Sequence, residues 1–160
     1  MRHRVYSVFD IARYILFSAD PTTNDISNLK LQKLCYYAQG IMTAIRGVPL
    51  FREDLVAWDH GPVVKELYHH YKQYGANPIT EDVDFSPEKI DATDRQILDD
   101  VLAYYSQYSA WRLRNMTHED RPWIDAYPGN ATISIESLQA YFEPQIDGNY
   151  VESIYGQAKV

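Results

Sequence analysis

The sequence predicts a mainly α-helical, compact single domain of six or seven helices, with at most a small β element near residues 50–58. Along most of the chain, apolar residues recur every three or four positions, which is the period of an amphipathic helix. Serine residues that can cap a helix precede several of these runs, and glycine or proline follows some of them. The 160 residues are 46% apolar, which is enough for one domain with its own core.

Six segments carry the helical pattern. Ser7 can cap the first segment, and Ser27 or Asn28 can cap the second and longest, which Gly47 ends. Ser109 and Ser134 are the expected caps of two later helices. The predicted helices cover about residues 7–17, 28–46, 62–74, 97–108, 110–116 and 135–142.

The segment that follows the longest helix differs from the rest in its pattern. Residues 50–58 suit a strand or hairpin arm, and the charged triplet Arg52, Glu53 and Asp54 suits its exposed tip. Pro62 is expected to open the next helix, since the fixed φ of proline fits a first helical position. Gly75 is the expected end of that helix.

The remaining segments complete the expected domain organisation. Residues 76–92 have the composition of an acidic surface loop, and the tail after Pro144 is weakly patterned. No repeat, low-complexity segment or linker divides the chain. We therefore expect one domain over residues 1–160, with a core at about 7–142 and a C-terminal appendage at 143–160.

Charge and cysteine content narrow the function classes. The net charge of −7 disfavours direct binding to nucleic acid or to an anionic membrane surface. A single cysteine, Cys35, excludes an internal disulfide and fits a reducing compartment. No run of 18 apolar residues and no secretory signal pattern is present, so a cytoplasmic protein is expected.

The pair His118-Glu119 raises the possibility of a metal site. A zincin motif needs a second histidine four residues after the first, and position 122 is a proline. The simpler interpretation is that Thr117 or His118 caps a helix end and binds local backbone. We therefore predict no metal and no cofactor.

Asp59 beside His60 could orient an imidazole as a general base. The candidate nucleophile, Cys35, falls on the apolar stripe of the longest helix and is expected to be a core residue. The seven glycines form no phosphate-binding loop. We therefore predict no catalytic residue.

Tyrosines are unusually frequent, with 14 in the chain. Tyr36 and Tyr37 are adjacent, and neighbours on a helix point about 100° apart, so one of the pair is expected to leave the core. Together with Tyr68 and Tyr71, these side chains are candidates for a partner-binding surface. The acidic residues between 81 and 100 usually indicate a solvated face, but they could also steer a basic partner. The alternative, the edge of an aromatic core with its hydroxyls in water, fits equally well.

Three groups of residues, taken in order, resemble the Panacea domain, which is the SocA-like antitoxin family of phage-associated, GepA-type proteins. The resemblance runs from about residue 7 to 142, and its Trp-x-x-Gly-Pro-Val and Thr-His-x-x-x-Pro-Trp elements are rather specific. The groups are Lys30 to Gly40, Pro49-Leu50-Phe51 with Ala57 to Val64, and Thr117 to Trp123.

The resemblance implies a mostly helical bacterial or phage protein that acts as the antitoxin of a type II toxin–antitoxin pair. It implies direct binding of a cognate toxin protein, and no enzymatic activity. Within the matching motifs we expect structural roles: large buried aromatics, a fixed turn and a tie between short helices. These residues are Trp58, His60, Gly61, Pro62, Thr117, His118, Glu119, Pro122 and Trp123.

Two other functions compete with this one. An adaptor that delivers a bound protein to a protease or chaperone would use the same binding surface. A metal-dependent or cysteine hydrolase would use His60, Cys35, His118 and Glu119. The sequence leaves self-association open.

Overall fold

The computed structural model describes residues 2–81 and 84–156, and it has the predicted mainly α-helical architecture with a small β-sheet. Eight α-helices and three short strands lie within these residues. The helices are α1 (Val8–Ser18), α2 (Asn28–Arg46), α3 (Lys65–Tyr71), α4 (Ala92–Tyr105), α5 (Ala110–Thr117), α6 (Arg121–Ala126), α7 (Ile135–Phe142) and α8 (Gly148–Tyr155). The strands are β1 (Leu55–Trp58), β2 (Gly61–Val63) and β3 (Thr132–Ile133).

The predicted helix caps are confirmed. The side chains of Ser7, Ser27, Ser109 and Ser134 each accept a hydrogen bond from a backbone N–H two or three residues further on. Gly47 ends α2 in the left-handed conformation, with φ of +79°. Local sequence therefore fixes the ends of these helices, as the capping rules require.

Helix α2 is the central element, and α1, α3, α4, α5, α7 and β2 all contact it. Because it is enclosed on several sides, polar residues of α2 are buried together with its apolar ones. Gln39 shows how they are accommodated: its Oε1 accepts from Leu50 N at 2.8 Å and from Phe51 N at 3.1 Å, and its Nε2 donates to Phe51 O. The buried amide thus supplies hydrogen bonds to a chain segment that lies outside the sheet.

The sheet is antiparallel, in the order β2-β1-β3. Pro62 lies in β2 opposite Ala57, so the prediction that it opens a helix is wrong. Ala57 N donates to Ala131 O, on the other side of β1, so the pair with Pro62 needs no N–H from the proline. Proline is acceptable on such an edge strand. Helix α3 begins three residues later, and the 3-10 turn that follows it ends at Gly75, as predicted.

Two surface predictions change in detail. Glu53, expected at an exposed tip, is half-buried and accepts hydrogen bonds from Val8 N at 2.8 Å and from Ser7 Oγ at 3.3 Å. It therefore caps α1 from a distant part of the chain. The C-terminal appendage forms a further helix, α8, within the described residues. Asp82, part of the predicted acidic run, lies outside the described residues.

None of the helices described here combines the length and the apolar character that crossing a bilayer requires.

Candidate partner-binding site

The hairpin between β1 and β2 turns through Asp59 and His60 and is pressed against the helices beneath it. Gly61 has φ of +108°, a conformation that favours glycine. A Cβ atom at this position would lie 2.7 Å from Lys33 Cε and 2.7 Å from Thr117 Oγ1. Glycine is thus required both by the backbone angle and by the close approach of α2 and α5.

Two side chains of α2 attach the hairpin to the core. Lys33 is fully buried and donates from Nζ to Pro62 O at 2.9 Å, while Gln32 Oε1 accepts from Val64 N at 2.9 Å. Burial, with a smaller contribution from the charge of Arg114, lowers the pKa of Lys33 to about 7. The strand β2 is therefore held by hydrogen bonds on the side that faces away from β1.

The Thr117 to Trp123 motif supports the hairpin from the other side. Trp123, with only 8% of its surface exposed, donates from Nε1 to Trp58 O at 2.8 Å. His118 stacks on the Trp123 ring at a centroid distance of 4.1 Å, and burial is the main cause that lowers its pKa. Thr117 Oγ1 donates to Arg114 O at 2.7 Å, a bond to local backbone of the kind predicted.

The other motif residues have simpler positions. Pro122 is buried in the first turn of α6, where its missing N–H costs nothing. Glu119 is exposed, in contrast to its neighbour Asp120. The two sequence motifs therefore form one structural unit around the hairpin, and Glu119 lies at its surface.

Asp120 is the residue of this motif that sequence reasoning missed. Its carboxylate accepts hydrogen bonds from the hydroxyls of Tyr36 at 3.1 Å, Tyr37 at 3.0 Å and Tyr141 at 2.8 Å. Burial raises the pKa of Asp120. Burial also raises the pKa of Tyr36 and Tyr37, to which the nearby carboxylate adds. One carboxylate thereby joins α2, α6 and α7. Asp120 is distant in sequence from Tyr36 and Tyr37, so no periodic pattern in the sequence indicates that they meet.

The predicted tyrosine surface has a different composition in the structure. Tyr36 and Tyr37 are both buried, so the expectation that one leaves the core is wrong: α2 has no solvent face at this point. Tyr71 is also buried, and its hydroxyl donates to Glu81. Among the four tyrosines predicted for partner binding, Tyr68 alone is half-buried, and it packs edge-on against Trp58.

Exposed aromatic and basic side chains surround the hairpin turn instead. Trp111 is 57% exposed, and the Arg114 guanidinium lies over its ring, 4.4 Å from the ring centroid. Arg114 Nε donates to His60 Nδ1 at 3.3 Å, and Tyr127, 37% exposed, donates from its hydroxyl to Asp59 Oδ1 at 2.7 Å. We call these five residues, Asp59, His60, Trp111, Arg114 and Tyr127, the hairpin face.

A groove with a volume of about 610 Å³ opens beside the hairpin face. Clefts of about 300–1,000 Å³ are typical of sites that bind small molecules. We call it the hairpin groove, and its walls include Gln32, Trp58, His60, Val63, Tyr68 and Lys72.

The residues proposed for a hydrolase are not arranged as a catalytic set. Cys35 is fully buried, and burial raises the pKa of its thiol. His60 is exposed on the hairpin turn, whereas His118 is packed on Trp123. Within residues 2–81 and 84–156, no group of three or more His, Cys, Asp or Glu side chains is placed to hold a metal ion.

Comparison with known proteins identifies a family whose model covers both motifs, and one curated relative. The model of the family described as "Antitoxin SocA-like, Panacea domain" matches residues 31–124, more than half of the chain. Antitoxin SocA of Caulobacter vibrioides (strain NA1000 / CB15N) is 36% identical over 69 residues, which are 43% of this chain and 37% of the relative. The match thus spans little more than a third of that relative. No solved structure matches the chain.

Proposed function

Since the chain belongs to the family of SocA-like antitoxins with a Panacea domain, we propose that it neutralises a toxin protein by binding it directly through the hairpin face. Four of the five residues of this face lie inside the segment that matches the family. In this proposal the protein acts by association and performs no chemical reaction. The encounter takes place in the cytoplasm, where a lone reduced cysteine is expected.

The observation that carries the proposal is the exposed Trp111 ring, which lies against the half-buried Arg114 beside the hairpin turn. Binding energy at protein interfaces concentrates in Trp, Tyr and Arg residues near the centre of the contact. Trp111, Arg114 and Tyr127 supply one of each, around a single turn. A ring that is more than half exposed loses contact with water when a partner covers it, which favours association.

The rigid support of the hairpin also favours binding of a partner. A binding surface that is already ordered avoids the entropic cost of fixing loops on association. The hairpin is fixed from below by Lys33 and Gln32 and from the side by Trp123. The buried motif residues then have an indirect role, which is to hold the exposed ones in place.

Co-expression tests the function. The reading frame next to this gene is expressed alone and together with this chain, and the two proteins are purified to look for a stable complex. We expect growth arrest with the neighbour alone, and rescue with a complex when both are present. A neighbour that is harmless alone, or rescue without a complex, would contradict direct neutralisation.

Two variants test the face itself. Trp111→Ala and Arg114→Ala are each expected to weaken toxin affinity at least tenfold, about 1.4 kcal/mol, the size expected of interface anchors. Tyr104→Ala is the matched control, because Tyr104 is 53% exposed on α4, outside the hairpin face. Equal losses in all three variants would place the interface elsewhere.

A measurement in the same cells distinguishes masking of the toxin by bound antitoxin from delivery of the toxin to a protease. Toxin half-life is followed with and without this chain. Masking leaves the half-life unchanged or lengthens it, whereas an adaptor shortens it.

A further inference from the structure

We propose that acid weakens the hairpin face, because protonation of His60 and His118, the two histidines that neighbour Arg114, frees the Arg114 side chain from the hairpin turn. The inference rests on the proposed function, since it concerns the regulation of the same surface. It adds the pH as a condition under which this surface holds a partner.

The hydrogen bond between Arg114 and His60 requires a neutral imidazole. Arg114 Nε donates to His60 Nδ1 at 3.3 Å. A guanidinium has donors only, so Nδ1 must be without a proton, and the single N–H of the neutral ring then lies on Nε2. A proton on Nδ1 would set two N–H groups and two positive charges against each other. The hydrogen bond from α5 to the turn is therefore lost when His60 becomes charged.

This bond also fixes the exposed aromatic residue of the hairpin face. The Arg114 guanidinium lies 4.4 Å from the centroid of the Trp111 ring, and the centroid of the His60 ring lies 6.4 Å from it. The other side-chain hydrogen bond of Arg114, from Nη1, goes to Asn115, its neighbour in the chain. Among the described residues, His60 is thus the one hairpin residue that accepts a hydrogen bond from the Arg114 side chain.

His118 is a second imidazole whose surroundings suit the neutral form. Its ring stacks on Trp123, and its Nε2 is buried without a hydrogen-bond partner in the part of the chain that the structure describes. A bare ring nitrogen needs no partner, whereas a buried N–H without an acceptor is unfavourable. Burial, followed by the charge of Arg114, lowers the pKa of His118, and a hydrogen bond to the main chain of Asp59 acts in the opposite direction.

The charged and titratable groups that act on His118 come from three elements and are all basic. They are Lys33 of α2, Arg114 of α5 and His60 of the turn, and each disfavours a proton on His118. Lys33 has a pKa of about 7, so it is itself mostly protonated in the range where histidines titrate. Acid therefore accumulates positive charge around Arg114.

The acidic residues next to the two histidines are engaged elsewhere or exposed to water. Asp59 precedes His60 in the turn, and its carboxylate accepts the Tyr127 hydroxyl at 2.7 Å. Glu119 follows His118 in the chain and is exposed, so solvent screens its charge. No ion pair within the described ranges joins either histidine to a carboxylate.

The direction of the effect is set by His118. Its pKa in the folded chain lies below the ordinary value of 6.5, so a form in which the ring reaches water takes up the proton first as the pH falls. The closed arrangement of the turn is therefore favoured above about pH 6.5 and becomes less favoured below it. An Arg114 side chain that has been freed must be ordered again when a partner binds, which lowers affinity.

An NMR titration of the full ¹⁵N-labelled chain, without any partner, tests the inference. The ring signals of His60 and His118 report protonation between about pH 7.5 and about pH 5, while the Arg114 Nε–H and Trp111 indole N–H signals report the hairpin face. We expect the Arg114 and Trp111 signals to change with the same midpoints as the two rings. Rings that titrate while these signals stay constant, or rings that stay neutral down to about pH 5, would overturn the inference.

Two substitutions remove the titrating groups and keep their contacts. His60→Asn leaves a side-chain oxygen that can accept from Arg114, and His118→Phe leaves a ring that can stack on Trp123. We expect the Arg114 Nε–H signal of the double variant to stay nearly constant over the same pH range. A double variant that responds like the wild type would contradict the assignment to these histidines, and the wild-type titration decides the question even if the variant does not fold.

His70→Gln is the matched control. His70 is exposed on α3 and lies 3.1 Å from Glu81, away from Arg114. This variant should keep the wild-type response of the Arg114 Nε–H signal. Loss of the response in His70→Gln would show a general effect of charge and would contradict a switch located at the hairpin.

A binding measurement connects the switch to the toxin. The dissociation constant of the complex with the neighbouring gene product is compared at about pH 7.5 and about pH 5.5, for the wild type and for the double variant. The titrating groups of the toxin are the same in both cases, so they cancel in the comparison. We expect the affinity of the wild type to fall at least about threefold more than that of the variant.

The two proposals fail separately. If a toxin complex forms and its affinity depends on pH equally in the wild type and in the double variant, the switch is wrong and direct neutralisation stands. If no toxin complex forms, direct neutralisation is wrong, and the NMR titration still decides whether acid frees Arg114 from the turn.

Discussion

The indole N–H of Trp123 donates to the main-chain oxygen of Trp58, 65 positions earlier in the chain. This bond joins the strand that precedes the hairpin turn to the helix that follows α5. It explains why the two tryptophan motifs belong together: each provides half of one contact. The exposed residues of the hairpin face depend on it for their positions.

Replacing Trp123 with Phe tests this relationship. The ring still fills much of the buried space, but Trp58 O loses its donor, which costs about 1–2 kcal/mol of unfolding free energy. Trp123→Ala should cost about 3–5 kcal/mol, because it also leaves a cavity. Urea unfolding measures both. Trp111→Phe, at an exposed site, is the control and should change stability by less than about 0.5 kcal/mol. A Trp123→Phe protein as stable as wild type would contradict the role of the bond.

The Asp120 carboxylate predicts an unequal set of losses. Asp120→Ala leaves three tyrosine hydroxyls without their acceptor and should cost at least about 3 kcal/mol. Tyr141→Phe removes one bond and should cost about 1 kcal/mol. Asp120→Asn keeps one acceptor oxygen and should fall between them. Thermal and urea unfolding of the three variants check the order, and similar losses in Asp120→Ala and Tyr141→Phe would contradict it.

Gly61 and Gly129 form a matched pair of glycines with positive φ. Both have unfavourable backbone angles for other residues, +108° and +88°, but a Cβ at Gly129 meets nothing within 4 Å. Gly129→Ala should therefore cost about 1 kcal/mol from strain alone. Gly61→Ala should cost more, about 2–4 kcal/mol, because Lys33 and Thr117 must also move. Equal melting temperatures of the two variants would show that the crowding is relieved easily.

Lys33 predicts a dependence of stability on pH. Its pKa of about 7 in the folded protein lies below the ordinary value of 10.5. The unfolded chain therefore binds more protons than the folded chain between about pH 7 and pH 10.5, and the free energy of unfolding rises with pH in this window by at most about 1.4 kcal/mol per unit. Below about pH 7 both states carry the proton, so this contribution to the slope disappears.

Lys33→Met isolates that contribution, because all other titrating groups stay in place. The difference in unfolding free energy, wild type minus variant, is expected to increase in favour of the wild type between pH 7 and 9. Urea unfolding at several pH values measures it. Parallel curves for the two proteins would mean that Lys33 keeps its proton when buried.

The sequence predicts the features that depend on local chemistry. Serine residues predict where four helices begin, because their side chains accept hydrogen bonds from free N–H groups of the first turn. These serines are Ser7, Ser27, Ser109 and Ser134. The position of Cys35 on an apolar stripe predicts a core residue, and Cys35 is buried. Gly75 ends its helical segment as expected. In each case the determining contacts lie within a few residues.

The features that the sequence analysis predicted wrongly or did not predict share a physical cause, which is burial imposed by elements distant in sequence. Pro62 has a backbone angle that suits both a first helical turn and an edge strand, and β1 decides between them. Tyr36 and Tyr37 are both enclosed because other helices surround α2. Gln39 and Lys33 are polar, so their pattern indicates solvent, yet their partners are backbone groups elsewhere in the chain. The contacts of the half-buried Arg114 with the exposed Trp111 and His60 also form only in three dimensions.

All three tryptophans of the chain lie around one turn, with Trp58 in the groove wall, Trp111 at the surface and Trp123 beneath. Fluorescence excited in the indole absorption band thus originates almost wholly from this one region of the molecule. The protein carries an intrinsic optical label at the place where we expect a partner to settle, so docking can be watched without attaching a dye.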